Sequence, residues 1–464
     1  MTYKLFGDFQ QHKKAHWKEQ VIKDLKGKDF DETLLWRIDE NVLVDAYYDQ
    51  EDTLNIRIKS IQQAQNQRVN ASWQYRETIK FTNEKDCNSL IISGLLAGVN
   101  EITIDFDGVR DWQVEVKELL RNIKLSDTPF FLKVENNCLG LVNSLQQIAP
   151  YQWKGGINYD GLAIWMCKGI WDENYWNGLG QILRKVQNYP HFRTVILNSH
   201  HFHNFGANVG QELAYTLASA IETIDRLSEQ GFSLLEIVQK IEFSVSVGTT
   251  YFVEIAKIRA LKMLWFQILR TGYGMSEKEI PVPSVHCETS SFYSASITPH
   301  TNMLRATTEA MSAVIGGCDA LTIKAFDESF KESDEFGKRI AKNISIILKE
   351  ESYFDKVIDP SAGSYFIENL TAKISGEALK LLQQIESQGG IMEAFKSNFI
   401  QNEINRNFEA EENNLISGKN TMVGVNKFRF DEVPFVKLQT SENEDFKQDF
   451  ELLIDRRISQ KFEQ

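Results

Sequence analysis

The chain has 464 residues, 42% hydrophobic and 25% charged, the composition of a globular protein long enough to bury a large core. A net charge of -13 and a pI near 5.3 argue against nucleic acid as a partner, because phosphate-backbone binders concentrate Lys and Arg to displace counterions. Five scattered cysteines (Cys87, Cys138, Cys167, Cys287, Cys318) suggest neither a disulfide framework nor a zinc knuckle, and "MTYKLFGDFQQHKK" has no apolar signal core, so a cytoplasmic protein with no membrane partner is expected.

Residues 1–72 open with an amphipathic stretch, "HWKEQVIKDLKG", whose Trp17, Val21 and Leu25 share one side. From 73 to 352, short β-rich runs alternate with longer amphipathic ones. Eight runs read as strands: "WQYRETIKF", "EITIDF", "PFFLKVE", "GLAIW", "RTVILNS", "EFSVSV", "PSVHCE" and "LTIKAF". That rhythm predicts an α/β chain whose middle is a (β/α)8 TIM barrel. Before the sixth strand, "GFSLLEIV" carries a capping box, Ser233 with Glu236, and a staple, Phe232 with Ile237. After it, "YFVEIAKIRALKMLWFQIL" places Phe252, Ile255, Ala256, Arg259, Met263 and Phe266 on a buried stripe, with Glu254, Lys257 and Lys262 off it. Residues 353–464 read as a post-barrel helical segment, with "TSENEDF" as a charged flexible connection and Phe446, Phe450, Leu453 and Ile458 as apolar anchors.

The fifth run leads into "ILNSHHFHNFGA", with three of the eight histidines in four positions. If the strand continues through them, alternation sets His201 and His203 on one face and His200 on the other, so the three cannot chelate one ion. No paired-cysteine or H-E-x-x-H motif supplies further metal ligands. A histidine at the C-terminal end of a barrel strand can face a ligand, or be satisfied by its neighbours.

Several stretches together resemble one family, the adenosylcobalamin-dependent methylmalonyl-CoA mutases, and especially their small (β) subunits. They are "WQYRETIKF", "ELAYTLASAIE", "FVEIAKIRALKMLW", "TSSFYSASITPHTNMLRATTEAMSAVIGGCDALTIKAFDE", "RIAKNISIILKEES", "DPSAGSYFIENLT", "GGIMEAF" and "SGKNTMVGVNKFRF", in family order along nearly the whole chain. The resemblance implies a barrel that receives an acyl-CoA thioester along its axis. In catalytic members a separate C-terminal domain with a D-x-H-x-x-G motif brings cobalamin to the mouth. No histidine here has an aspartate two positions before it. The expectation is therefore no cofactor and no metal on this chain, with adenosylcobalamin carried by a partner α chain.

Carried over residue by residue, the resemblance implies an eroded substrate site. The family's tyrosine after the R-Q pair of the first strand falls at Thr78, behind Arg76 and Glu77. Its fifth-strand tyrosine and histidine fall at His200 and His201, so the histidine that bonds the thioester carbonyl is present and its aromatic neighbour is replaced. Its carboxylate-pairing arginine falls near Lys168, a point charge in place of a two-pronged fork. Its seventh-strand glutamine falls at Glu288, a carboxylate where a donor should stand. After the second strand, only "DGVRDW" occupies the place of a longer glycine- and aspartate-containing loop.

These positions read as vestigial, with no catalytic residue expected in this chain. The implied function is the small subunit of a heterodimeric methylmalonyl-CoA mutase, an isomerase of propionate metabolism whose homologous catalytic α chain interconverts (R)-methylmalonyl-CoA and succinyl-CoA. The competing expectation is the acyl-CoA-binding chain of a split mutase of isobutyryl-CoA type.

Overall fold

The computed structural model describes residues 13–109, 114–136, 138–430 and 449–463. Its centre is a parallel barrel of eight strands: β1 (Gln74–Lys80), β2 (Glu101–Asp105), β3 (Phe130–Lys133), β4 (Gly155–Asn158), β5 (Val195–Asn198), β6 (Ile241–Val247), β7 (Ser284–Thr289) and β8 (Ala320–Thr322). The ladders run β4, β3, β2, β1, β8, β7, β6, β5, all parallel, which is the (β/α)8 barrel the alternating runs predict. The ring closes at the fifth strand. Phe192–Arg193 pairs with β4 and Val195–Asn198 pairs with β6, the change of neighbour falling at Thr194. Beyond that break, Asn158 and Asn198 exchange side-chain hydrogen bonds of 3.2 and 2.9 Å and hold the seam where no main-chain ladder does.

The fourth strand is not where the sequence suggested. "GLAIW" lies in a helix, α1 (Gly161–Lys168), capped by the Asp160 carboxylate on the Ala163 amide at 3.0 Å, and the strand is the preceding "GGIN". Glycine is a poor strand residue, which hid it. The barrel needs it here: a Cβ on Gly155, at φ +109°, would lie 2.1 Å from the Phe130 carbonyl oxygen, and one on Gly156 2.6 Å from that of Arg193.

Helices α2 (Val209–Glu229), α3 (Tyr251–Gln267) and α4 (Thr301–Gly316) cover the later strands, and α5 (Tyr365–Ser387) packs outside α2 and α3. This outer layer overturns the one-sided reading of α3. Glu254, Lys257 and Lys262 are buried and Phe252 is half exposed, because the helix is covered on both faces. Its charges find partners inside: Lys257 bonds Glu212 at 2.8 Å and Glu254 at 2.6 Å, Arg259 bonds Glu368 at 2.9 Å, and Lys262 donates to the Gly317 carbonyl and to Gln65. The capping box of Ser233 and Glu236 forms as expected. "TSENEDF" and Phe446 lie outside the described residues; Leu453 and Ile458 are buried and Phe450 packs on Trp165 and Phe395. No described helix is long and apolar enough to cross a membrane.

Candidate functional site

The inward positions of a (β/α)8 barrel are ordinarily filled by branched apolar side chains. Here most are polar, and they form two layers that meet across the axis.

In the lower layer, the Arg76 guanidinium reaches from β1 to three other strands. Its Nε donates to Glu101 of β2 at 2.8 Å, its two Nη groups donate to Glu242 of β6 at 2.6 and 3.1 Å, and its plane lies 3.5 Å from the ring centre of Phe131 on β3. All three charged groups are buried. A planar fork satisfied by two carboxylates and stacked on an aromatic face compensates much of its desolvation. It also stands on the axis.

The layer above is a directed chain of hydrogen bonds. Thr322 Oγ1 donates to the Arg76 carbonyl at 2.9 Å, so it accepts from His286 Nε2 at 2.8 Å. Burial pushes His286 well below its ordinary value, so the ring is neutral and its Nδ1 accepts from Ser244 Oγ at 2.7 Å. Ser244 Oγ then accepts from His200 Nε2 at 2.8 Å, leaving His200 Nδ1 to accept from Ser246 Oγ at 2.8 Å. Burial pushes His200 down to about 4, against the pull of Glu288, so it too is neutral. One main-chain carbonyl fixes both tautomers.

The histidines are not on the strand. β5 ends at Asn198, and His200–Phe205 forms a short helix after Ser199. The physical reason is that Ser199, with its amide bonded to Ser244 and its hydroxyl to Glu212, turns the chain out of the ladder. His200 faces the axial serines. His201 is buried with Nε2 unpartnered among the described residues, and burial pushes it down to about 3. His203 bonds Ser290 at 2.7 Å and Glu212 at 3.4 Å, away from the axial chain.

The other inferred positions ring the C-terminal mouth. Thr78 is exposed near the end of β1, in register with Thr103. Glu288 pairs with Lys324 at 2.7 Å; burial opposes its charge, yet Lys324 and His200 hold it well below the usual carboxylate range. Lys168 is held by Asp107 at 2.8 Å and by Glu135, so its ammonium is already matched by two carboxylates. Along one side, residues 451–458 lie across the loops after β4, β5 and β7: Leu453 N bonds Met166 O, Arg456 N bonds Asn204 O and Ile458 N bonds Phe292 O.

Thus Glu288, His200 and Lys324 are brought together, Lys168 stands in a separate carboxylate cluster, and Thr78 touches neither. Sequence reasoning missed Arg76, Glu101, Glu242, Ser244 and His286. The signal was available in "EFSVSV" and "PSVHCE", where polar residues at alternate positions mark one face of strands buried on both sides. No group of three His, Cys, Asp or Glu side chains suited to a metal occurs among the described residues. Nor do the buried barrel histidines fit a cobalt ligand: those of the axial chain have both nitrogens bonded, as does His203, and the free His201 nitrogen is enclosed.

Comparison with known proteins agrees with this architecture. A family model described as methylmalonyl-CoA mutase matches residues 110–461. A Porphyromonas gingivalis protein named methylmalonyl-CoA mutase small subunit is 30% identical over 459 residues, covering 95% of this chain and 74% of its own. An Escherichia coli methylmalonyl-CoA mutase is 28% identical over 391 residues, and this chain spans 55% of its length. The human mitochondrial methylmalonyl-CoA mutase is 25% identical over 473 residues, with 63% of its length spanned.

Proposed function

The chain belongs to the methylmalonyl-CoA mutase family, and we propose that within it this chain is a non-catalytic small subunit, paired with a homologous α chain that carries adenosylcobalamin and interconverts (R)-methylmalonyl-CoA and succinyl-CoA. The observation that carries the reading is the Arg76 guanidinium, bonded to Glu101 and Glu242 across the barrel axis. An acyl-CoA chain needs that axis open. Threading one through would separate a buried cation from two carboxylates, at a cost on the order of 3 to 5 kcal/mol for each broken pair.

The mouth supports the same reading. A substrate carboxylate meets Lys168 already neutralised by Asp107 and Glu135, and a developing oxyanion meets the ionised Glu288. Thr78, Lys168, His200, His201 and Glu288 are on this proposal relics of a substrate site.

The test is to assay this chain, its candidate α partner and the mixture. Activity should require the α chain, and His201→Ala in the assembled enzyme should leave turnover nearly unchanged. A hundredfold loss of turnover in that variant would show that this barrel does chemistry, as the acyl-CoA-binding chain of a split mutase would.

A further inference from the structure

We propose that Ser290, His203 and Glu212 form a second chemical site, a nucleophile relay that cleaves short-chain acyl esters or thioesters. His203 Nε2 lies 2.7 Å from the Ser290 hydroxyl and His203 Nδ1 lies 3.4 Å from Glu212 Oε2. Hydroxyl, imidazole and carboxylate therefore follow one another in the order that serine acyl transfer needs: nucleophile, base, and the acid that orients the base. The relay takes no part in isomerisation, and the proposal is independent of the subunit role above.

Glu212 fixes the direction of the relay. It accepts from Lys257 at 2.8 Å and from the Ser199 hydroxyl. Burial opposes its charge, yet Lys257 and His203 hold it below the usual carboxylate range, so it serves as an acceptor. In the neutral ring, Nδ1 then carries the proton that faces Glu212, and Nε2 is left to accept from Ser290. Ser290 directly follows β7, at the barrel end where reactive groups of this architecture stand, and its amide is held by Glu309 at 3.1 Å.

A serine bonded to a histidine is by itself only a hydrogen bond. Here a cavity of about 10 Å³, room for a single oxygen, opens beside Ser290, with Asn302, Arg305, Glu309 and Lys324 in its wall. Arg305 bonds Asn302 Oδ1 at 2.6 Å and the Val423 carbonyl at 2.5 Å, and its fork has further N–H groups. Lys324 bonds Ser291 Oγ at 2.7 Å. Glu309 does not offset these donors at neutral pH, because burial raises it to about 8. A space for one oxygen, beside a hydroxyl and walled by cations, suits the oxyanion of a tetrahedral intermediate. It is too small for a long chain, and Tyr293, Ser294 and Arg305 at its edge are half-buried. The acyl group is therefore short, and the leaving group stays towards solvent.

In the step itself, Ser290 Oγ attacks the carbonyl carbon as His203 Nε2 takes its proton. The C–O or C–S bond breaks, and His203 returns the proton to the departing alcohol or thiol. Water, deprotonated by the same nitrogen, then cleaves the Ser290 ester and releases the carboxylic acid.

The test treats the whole chain with a fluorophosphonate, maps the adduct by peptide mass spectrometry, and follows hydrolysis of 4-nitrophenyl acetate and of S-acetyl-N-acetylcysteamine. An adduct on Ser290 and saturable hydrolysis are expected, and the substrate with the higher kcat/KM distinguishes ester from thioester. His203→Gln keeps a polar partner for Ser290 without a base, and should slow both labelling and turnover about a hundredfold or more. Ser290→Ala should abolish both. No Ser290 adduct in the parent chain overturns the relay, whether or not a variant folds. A folded His203→Gln chain that labels at the parent's rate overturns it as well.

Discussion

Arg76 and Glu309 show how much depends on what stands beside a single charge. Removing the Arg76 cation leaves Glu101 and Glu242 facing each other inside the barrel, so Arg76→Met should destabilise the chain by about 3 to 5 kcal/mol in urea melts. Adding Glu101→Gln and Glu242→Gln to that variant should restore a large part of the loss. Full stability in the single variant would mean that the layer is not buried as described. Glu309 is the opposite case. Burial raises it to about 8, and among the described residues the Ser290 amide is the donor that reaches it, at 3.1 Å. Its folded state binds a proton that the unfolded state has released, so its stabilisation is complete below about 4.5 and is lost as pH rises through 8. Glu309→Gln, an imitation of the neutral acid, should therefore gain stability relative to the parent above pH 8 and little below pH 5. The imidazoles run the other way. His200 near 4 and His201 near 3 lie below an ordinary value of about 6.5, so the unfolded chain binds more protons in that interval and stability falls as pH drops from 6.5. His201→Phe breaks no hydrogen bond at Nε2, and its urea midpoint should depend less on pH over that interval; an unchanged slope would count against the neutral buried ring.

Among the elements, local pattern misplaced β4 and misread the faces of α3, for different reasons. Gly155 and Gly156 allow β4 to approach Phe130 on one side and Arg193 on the other, and that closeness is a property of barrel closure which no window of sequence carries. Gly155→Ala would place a methyl group against the Phe130 backbone in a left-handed conformation, and should cost at least about 3 kcal/mol by chemical denaturation. A loss below 1 kcal/mol would contradict the strand pairing. For α3, charge marked Glu254, Lys257 and Lys262 as solvent-facing, yet Lys257 pairs with Glu254 and with Glu212 of α2, and Lys262 donates to Gln65 and to the Gly317 carbonyl. A helix wrapped by a second layer keeps its charges by pairing them, and its hydrophobic periodicity disappears.

At the scale of the whole molecule, a helix at Lys14–Asp24 contains no buried residue. Its apolar side, Trp17, Val21 and Leu25, is half covered, Trp17 resting on Phe30 and Tyr47. An apolar stripe that the chain's own barrel leaves half open suits a permanent partner, whose interface would bury on the order of 2,000 Å² or more in total. Deleting residues 1–30 should weaken association with the α chain more than it lowers the melting temperature of the barrel. Size-exclusion chromatography with light scattering reads the first and calorimetry the second. If the intact chains elute separately at micromolar concentration, the subunit role fails.

The sequence by itself determined the eight-fold alternation, the Ser233 cap and the family resemblance, because strand and helix periodicities and local hydrogen bonds depend on neighbours within a few residues. The resemblance also placed Thr78 on the first strand and Glu288 on the seventh. Only the tertiary structure decided that Arg76 stands on the axis between residues 25 and 166 positions away, that His200 is locked by β6 serines while His201 is enclosed without a partner, and that Lys168 is already neutralised. Each is a meeting of side chains from distant strands. Closing the barrel brings them within hydrogen-bond range, and hydrogen-bond range is too short for sequence spacing to foretell.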